Sequence, residues 1–401
     1  MAGRGRAPRA RAPISVVVAV CALLVSLTGC GGGSATDRAE ADVRRLLDRR
    51  AAAVLDRDLA AYRGTGSTAG FGNLRAVPLA AWSYELTGLR LTGDRATADA
   101  RLRYRVDGYD TAPVVAGRAL TLARDSGGQW DVVSDRPAPE SAVQPWDQGP
   151  VSVVHGERSL VLGVGHPKRD LRDYAGLADR AVPAVTSAWG GQWSGRVVVV
   201  VPESLQDMAA LLGSPASAYR GIAAVTTGEV GAPARAAADR IIVNPDAYGV
   251  LGDVGRQVVL THEATHVATR AHTNAATPLW LSEGYADWAG YRGTGRTPAE
   301  AAPELARAVV AGEGPEDLPT DEDFAFTGDA AALAAAYEGG WLACKLIAER
   351  WGEERLRAFY RAVGAHEERA GAVEGALAEV LDVTAGEFTE RWREYLRLQF
   401  G

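Results

Sequence analysis

Two histidines four residues apart, His262 and His266, constrain this chain more than any other feature. Glu263 lies between them, and Trp280-Leu281-Ser282-Glu283-Gly284-Tyr285-Ala286-Asp287 follows shortly after. The spacing selects a helix: at 3.6 residues per turn, side chains four apart stack on one face, so both imidazoles can point at a single ion. Glu263 sits beside the first imidazole and reaches toward the position opposite it. Leu260, Ala264, Val267 and Ala271 recur at helical spacing and predict an apolar back face, with Asp253 as the N-cap. His262, Glu263 and His266 then face a cleft.

Two imidazoles leave a coordination sphere open, and the sequence offers two candidates for a third ligand. His272 completes a His-Glu-x-x-His-x-x-Thr-x-x-His run, one residue away from the metzincin pattern. The mismatch falls where a Gly is needed for a sharp turn, and β-branched Thr269 tolerates such a turn poorly. A Met turn is also required downstream, whereas Met1 and Met208 both lie upstream. That reading is excluded. The other candidate is Glu283, on a second helix that Thr277-Pro278 would start, with Asp287 one turn further on.

His262-Glu263-Ala264-Thr265-His266 followed by Trp280-Leu281-Ser282-Glu283-Gly284-Tyr285-Ala286-Asp287 resembles the gluzincins. This peptidase MA-like group includes the thermolysin, leukotriene hydrolase and aminopeptidase N families. The resemblance implies one Zn2+ ion held by His262, His266 and Glu283, with Glu263 as general base. It implies that Asp287 orients a ligand histidine from behind. Ala336-Tyr337-Glu338-Gly339-Gly340 is similar to the Tyr-Glu-x-Gly segment of the aminopeptidase branch, which makes Tyr337 a candidate donor to the oxyanion. The competing reading of Tyr337 is a core aromatic one turn before Trp341. Zinc rests on two imidazoles, one carboxylate and the resemblance. Aminopeptidases of the group bind the free amine through a Gly-x-Met-Glu-Asn run, which this chain lacks. The expected activity is therefore endopeptidase or protein-processing cleavage of a peptide or protein substrate. The alternative is a non-catalytic binding module on the same fold, against which the intact Glu263 argues.

Residues 1–29 read as a signal segment: Arg4, Arg6, Arg9 and Arg11 precede an apolar run from Ile14 to Val25, too short for a comfortable membrane span. Leu27-Thr28-Gly29-Cys30 resembles a bacterial lipobox, which implies cleavage before Cys30, acylation of its sulfur and a lipid anchor in the cell membrane. Residues 30–37, rich in Gly, would form a flexible tether. Removing the four arginines takes the formal net charge from −7 to −11. An acidic surface excludes nucleic acid as a partner and electrostatic docking on anionic lipid. With Cys21 removed and Cys30 lipidated, Cys344 stands alone and no internal disulfide is available.

The predicted fold class is α+β in two domains. Residues 38–136 open with helical spacing of Val43, Leu46, Leu47, Val54, Leu55, Leu59 and Tyr62, followed by strand-like alternation with a hairpin at Gly127-Gly128. The pattern resembles the cone of nuclear-transport-factor and SnoaL-like proteins. Such cones can hold small ligands, but a spacer or docking role is the expectation. Residues 137–150 read as a linker from their Pro and Gly content. Residues 151–401 form the gluzincin-like domain: a small sheet, the metal helix and a helical C-terminal part. Within it, Val197–Val201 suits a strand buried on both faces. Either Ile222–Val225 or Arg240–Asn244 would be the edge strand that lines the cleft, and capping residues Thr384 and Glu387 open the last helix. His155 and His166 lack ligand spacing and read as structural.

Overall fold

A computed structural model of the chain describes residues 35–227, 238–325 and 329–401. The expected signal segment, Cys30 and most of the tether lie outside the described residues. Among the described residues no helix is long and apolar enough to cross a membrane. The architecture is mixed α+β, with two small sheets and many helices.

The first helix, Ala35–Leu55, buries Val43, Leu46, Leu47 and Val54, as the spacing predicts. It stops before Tyr62 because Arg57 adopts a left-handed φ of 55°. Asp58 then caps a separate turn, Leu59–Arg63, by accepting from the Ala60 and Ala61 amides. Four antiparallel strands pair in chain order: β1 (Leu79–Thr92), β2 (Arg95–Val106), β3 (Val114–Arg124) and β4 (Trp130–Pro137). On β2, Ala96, Ala98, Ala100, Leu102, Tyr104 and Val106 are all buried, which is the period-two pattern of a sheet with one covered face. The β3–β4 hairpin turns at Gly128, whose φ of 79° suits a residue without Cβ.

A second, five-stranded sheet has the order β5-β6-β7-β9-β8: β5 (Val151–His155), β6 (Ser159–Val164), β7 (Val197–Val201), β8 (Ala224–Thr226) and β9 (Ile241–Val243). Its centre is parallel, and β5 and β8 run antiparallel on the two edges. The five valines of β7 divide between its faces. Val197, Val199 and Val201 join the helical core, whereas Val198 and Val200 face Trp82, Leu102, Tyr104 and Val106 of the first sheet. The first sheet thus covers one side of the second. Trp146 lies in the same core, on a helical turn (Pro145–Gln148) inside the stretch whose composition reads as linker.

Behind the other face stand the helices Lys168–Trp189 and Asp253–Thr269, then Leu279–Tyr291 and Ala330–Trp351. The last two cross with unusually little separation. A Cβ on Gly284 would lie 2.2 Å from the Gly340 carbonyl oxygen, and one on Gly340 would lie 2.6 Å from the Trp280 carbonyl oxygen. Two glycines therefore set how close the Glu283 helix comes to the Tyr337 helix. Thr384 and Glu387 form the expected capping box of the final helix, Ala385–Phe400.

Candidate metal centre

The metal helix spans Asp253–Thr269 and buries Leu260, Ala264 and Ala268 behind it. Its details differ from expectation. Gly252 occupies the N-cap position and Asp253 is the first helical residue, where its charge meets the positive end of the helix dipole. The helix ends at Thr269 in a tight turn, Arg270–His272, so Ala271 leaves the back face and is exposed. The opposite face carries His262, Glu263 and His266.

Three donor atoms converge there. His262 Nε2 and His266 Nε2 are 3.0 Å apart, and Glu283 Oε2 lies 3.2 Å from the first and 3.4 Å from the second. Tetrahedral coordination with metal–ligand bonds of about 2.0–2.1 Å requires donors about 3.3 Å apart. The triangle fits one such ion. Among the described residues this is the one group of His, Cys, Asp or Glu side chains with that convergence. His262 Nδ1 donates to Asp287 Oδ1 at 2.7 Å, which fixes the ring orientation and aims Nε2 at the centre. Glu283 and Asp287, four residues apart on the Leu279–Tyr291 helix, thus reach the site from one face.

The same groups are coupled electrostatically. Burial would disfavour charge on His262, but Asp287, with Glu283 beside it, more than offsets this and raises its pKa well above the ordinary imidazole value. Burial would likewise raise the Glu283 carboxyl, yet the His266 charge and hydrogen bonds from both imidazoles hold it well below the usual carboxylate range. Glu263 is different: burial pushes its carboxyl up, against the opposing pull of His262 and Thr226. The Thr226 hydroxyl donates to Glu263 Oε2 at 2.7 Å and lies 3.0 Å from the Glu263 carbonyl oxygen. The base candidate is therefore held at its side chain by the end of strand β8.

A cleft of about 440 Å³ opens beside the centre, reaching it at His262, Glu263 and Asp287. His262, Glu263 and Asp287 form its floor, Ile222–Ala224 leading into β8 form one wall, and Leu333, Ala334 and Tyr337 form another. Of the two strands that could line it, β8 is the sheet edge and β9 is interior. Tyr337 is half-buried, with its ring 5.1 Å from Phe324.

The remaining histidines named by the sequence stay out of the centre. His272 packs edge-on against Trp189, 5.5 Å between ring centres, and burial lowers its pKa. His166 Nε2 pairs with the Pro202 carbonyl at 2.9 Å, and His155 is exposed on an edge strand. Cys344 is fully buried with its thiol pKa raised by burial, and it is not among the converging ligands. Thr226 was not legible beforehand. A threonine within a short apolar run carries no local signal that it will meet a helix residue 37 positions on.

No protein-family model matches the chain, and no curated protein matches it. Among solved structures, it is similar to native yeast LTA4 hydrolase at 12% identity, over 70% of this chain and 44% of that one, with a TM-score of 0.38. It is also similar to an M1 zinc metallopeptidase from Deinococcus radiodurans at 18% identity, over 78% and 60% of the two chains, with a TM-score of 0.35. The match thus spans less than two thirds of each of those proteins.

Proposed function

We propose that this chain is a zinc-dependent peptidase of the gluzincin type, cleaving peptide or protein substrates as an endopeptidase. The observation that carries this reading is the convergence of His262, His266 and Glu283 at tetrahedral spacing, with Glu263 beside His262 in the cleft lining. Bound there, Zn2+ would supply Lewis acidity and bring the pKa of a coordinated water toward about 7. Glu263 takes the proton of the attacking water and passes it to the departing amine. Its raised carboxyl suits that traffic better than an ordinary glutamate would. Asp287 holds His262 in the tautomer that keeps Nε2 free. The Tyr337 phenol, on the opposite wall, donates to the developing oxyanion.

Endopeptidase action is favoured by the cleft's composition. Among the described residues lining it, Glu263 and Asp287 are the acids, and both are committed to the centre. Among the described residues of that lining, a free amino terminus finds no spare carboxylate. The lipobox-like Leu27-Thr28-Gly29-Cys30 supports a place on the outer face of a bacterial cell membrane, held by lipid on Cys30. The helix followed by a four-stranded antiparallel sheet over 38–136 supports a cone-like N-terminal unit.

The test is cleavage of an internally quenched peptide library by the zinc-loaded protein and by Glu263→Gln. The expected result is cleavage at interior bonds by the wild type and loss of about 10²–10⁴ in rate in the variant with zinc retained. Zinc bound at full stoichiometry without cleavage of any peptide would instead favour a binding module.

A further inference from the structure

Strand β8 carries Thr226 to the base, so whatever fixes the end of β8 also fixes Glu263. Thr227, the next residue, is held from three sides. Its hydroxyl accepts from the Arg240 amide at 2.8 Å, and its own amide donates to the Arg240 carbonyl at 2.8 Å. Its carbonyl accepts from Arg270 Nη2 at 2.8 Å, and Arg270 is paired with Asp239 at 3.1 Å. The Arg240 guanidinium reaches the first sheet. It makes two 2.7 Å bonds to Asp110, in the turn between β2 and β3 of the first sheet. Asp110 Oδ2 also accepts from the Val106 amide at 2.7 Å, which fixes it to the end of β2. The side chains of this pair are 1% and 11% exposed, so solvent screens it little.

We propose that Asp110 is a positioning residue for Glu263: through Arg240 and the paired Thr226-Thr227 end of β8, the N-terminal sheet sets the catalytic carboxylate. This rests on the peptidase reading above. It gives residues 38–136 a role that a spacer would not have. A planar two-bond contact transmits orientation as well as distance, because an arginine fork matches a carboxylate in one geometry. Loosening it lets Arg240, and with it Thr227, drift along the sheet edge. The Thr226 hydroxyl then shares its proton between the Glu263 side chain and carbonyl in a changed ratio. Asp110 itself touches neither metal ligands nor the cleft lining.

The experiment compares the full zinc-loaded chain with Asp110→Asn, Thr226→Val, the double variant, and Asp135→Asn as control. Asp135 pairs with Arg118 in the same N-terminal unit, at 2.8 Å with side chains 10% and 6% exposed, but has no bond to Arg240. Two readouts are taken: kcat and KM on the quenched peptides the wild type cleaves, and hydrogen–deuterium exchange. Asp110→Asn is expected to lower kcat by about tenfold or more with KM and zinc content unchanged. It is also expected to speed exchange at residues 222–227 and 240–244, which Asp135→Asn does not. Thr226→Ser should restore what Thr226→Val loses, and the double variant should fall no further than Thr226→Val alone. Additive losses, or exchange at 222–227 unchanged in Asp110→Asn, would overturn the proposal. If the wild type cleaves no peptide, the peptidase reading fails, and the exchange result still decides whether Asp110 holds β8.

Discussion

Gly284→Ala is the perturbation whose size can be worked most directly from the structure. The new methyl would sit 2.2 Å from the Gly340 carbonyl oxygen, 2.3 Å from its carbon and 2.9 Å from the Trp341 amide nitrogen. All three are backbone atoms, so no side chain can swing aside. Restoring the 3.4 Å at which ordinary contact begins requires the two helices to part by about 1.2 Å. Overpacking of this kind costs about 1–3 kcal/mol, which for a chain this size lowers the melting temperature by about 1–2 °C per kcal/mol. The displaced helix carries Glu283, whose Oε2 must stay 3.2–3.4 Å from both imidazole nitrogens. Zinc affinity should therefore fall as well, by about tenfold. Thermal unfolding of the metal-free protein measures the first effect, and competition with a chelator measures the second. Gly386→Ala is the control, since no atom lies within 4 Å of its added Cβ. A Gly284→Ala protein that melts within about one degree of the wild type and binds zinc equally well would refute the close-crossing argument.

Other substitutions probe the groups around the centre. Asp287→Ala removes the acceptor that orients His262 and should weaken zinc binding by about 10–100-fold by chelator competition, with the fold intact by circular dichroism. Tyr337→Phe should lower kcat by about 10–10³ while leaving KM near wild type; unchanged kcat would return Tyr337 to a packing role. Glu338 is 9% exposed, and its carboxylate accepts from the Leu305 amide at 2.6 Å. Burial raises its carboxyl from 4.5 to about 7, so between those values the unfolded chain ionises first and stability falls as pH rises. Glu338→Gln lacks that loss and should gain on the wild type by about 1–3 kcal/mol more at pH 8 than at pH 5 in urea melts.

What the chain reveals before folding depends on how local the cause is. His262 and His266 are legible because one helical repeat places them, and the β7 valines are legible because both faces of a central strand are buried. Glu283 is legible only through the company it keeps, since nothing in its own segment says which helix it will face. The end of the metal helix was misplaced: an apolar period runs on through Ala271, but the chain turns at Arg270, whose side chain is drawn to Asp239 and the Thr227 carbonyl. The choice between β8 and β9 as the edge could not be made from two short apolar runs of equal character, because strand order is set by long-range pairing. Trp146 hides in a Pro- and Gly-flanked stretch whose composition says linker, yet its ring fills the space between the sheets, 5.4 Å from Trp82 and 4.9 Å from Tyr104. Thr226 and Asp110 are less legible still, since their importance lies wholly in partners distant in sequence.

Three side chains sharing one divalent ion underlie the proposed chemistry, and metal content tests this most directly. Elemental analysis of the purified protein after dialysis should find one zinc per chain, falling to trace levels in both His266→Ala and Glu283→Gln while each variant remains folded. Wild-type protein without stoichiometric zinc, or variants that keep it in full, would contradict the claim.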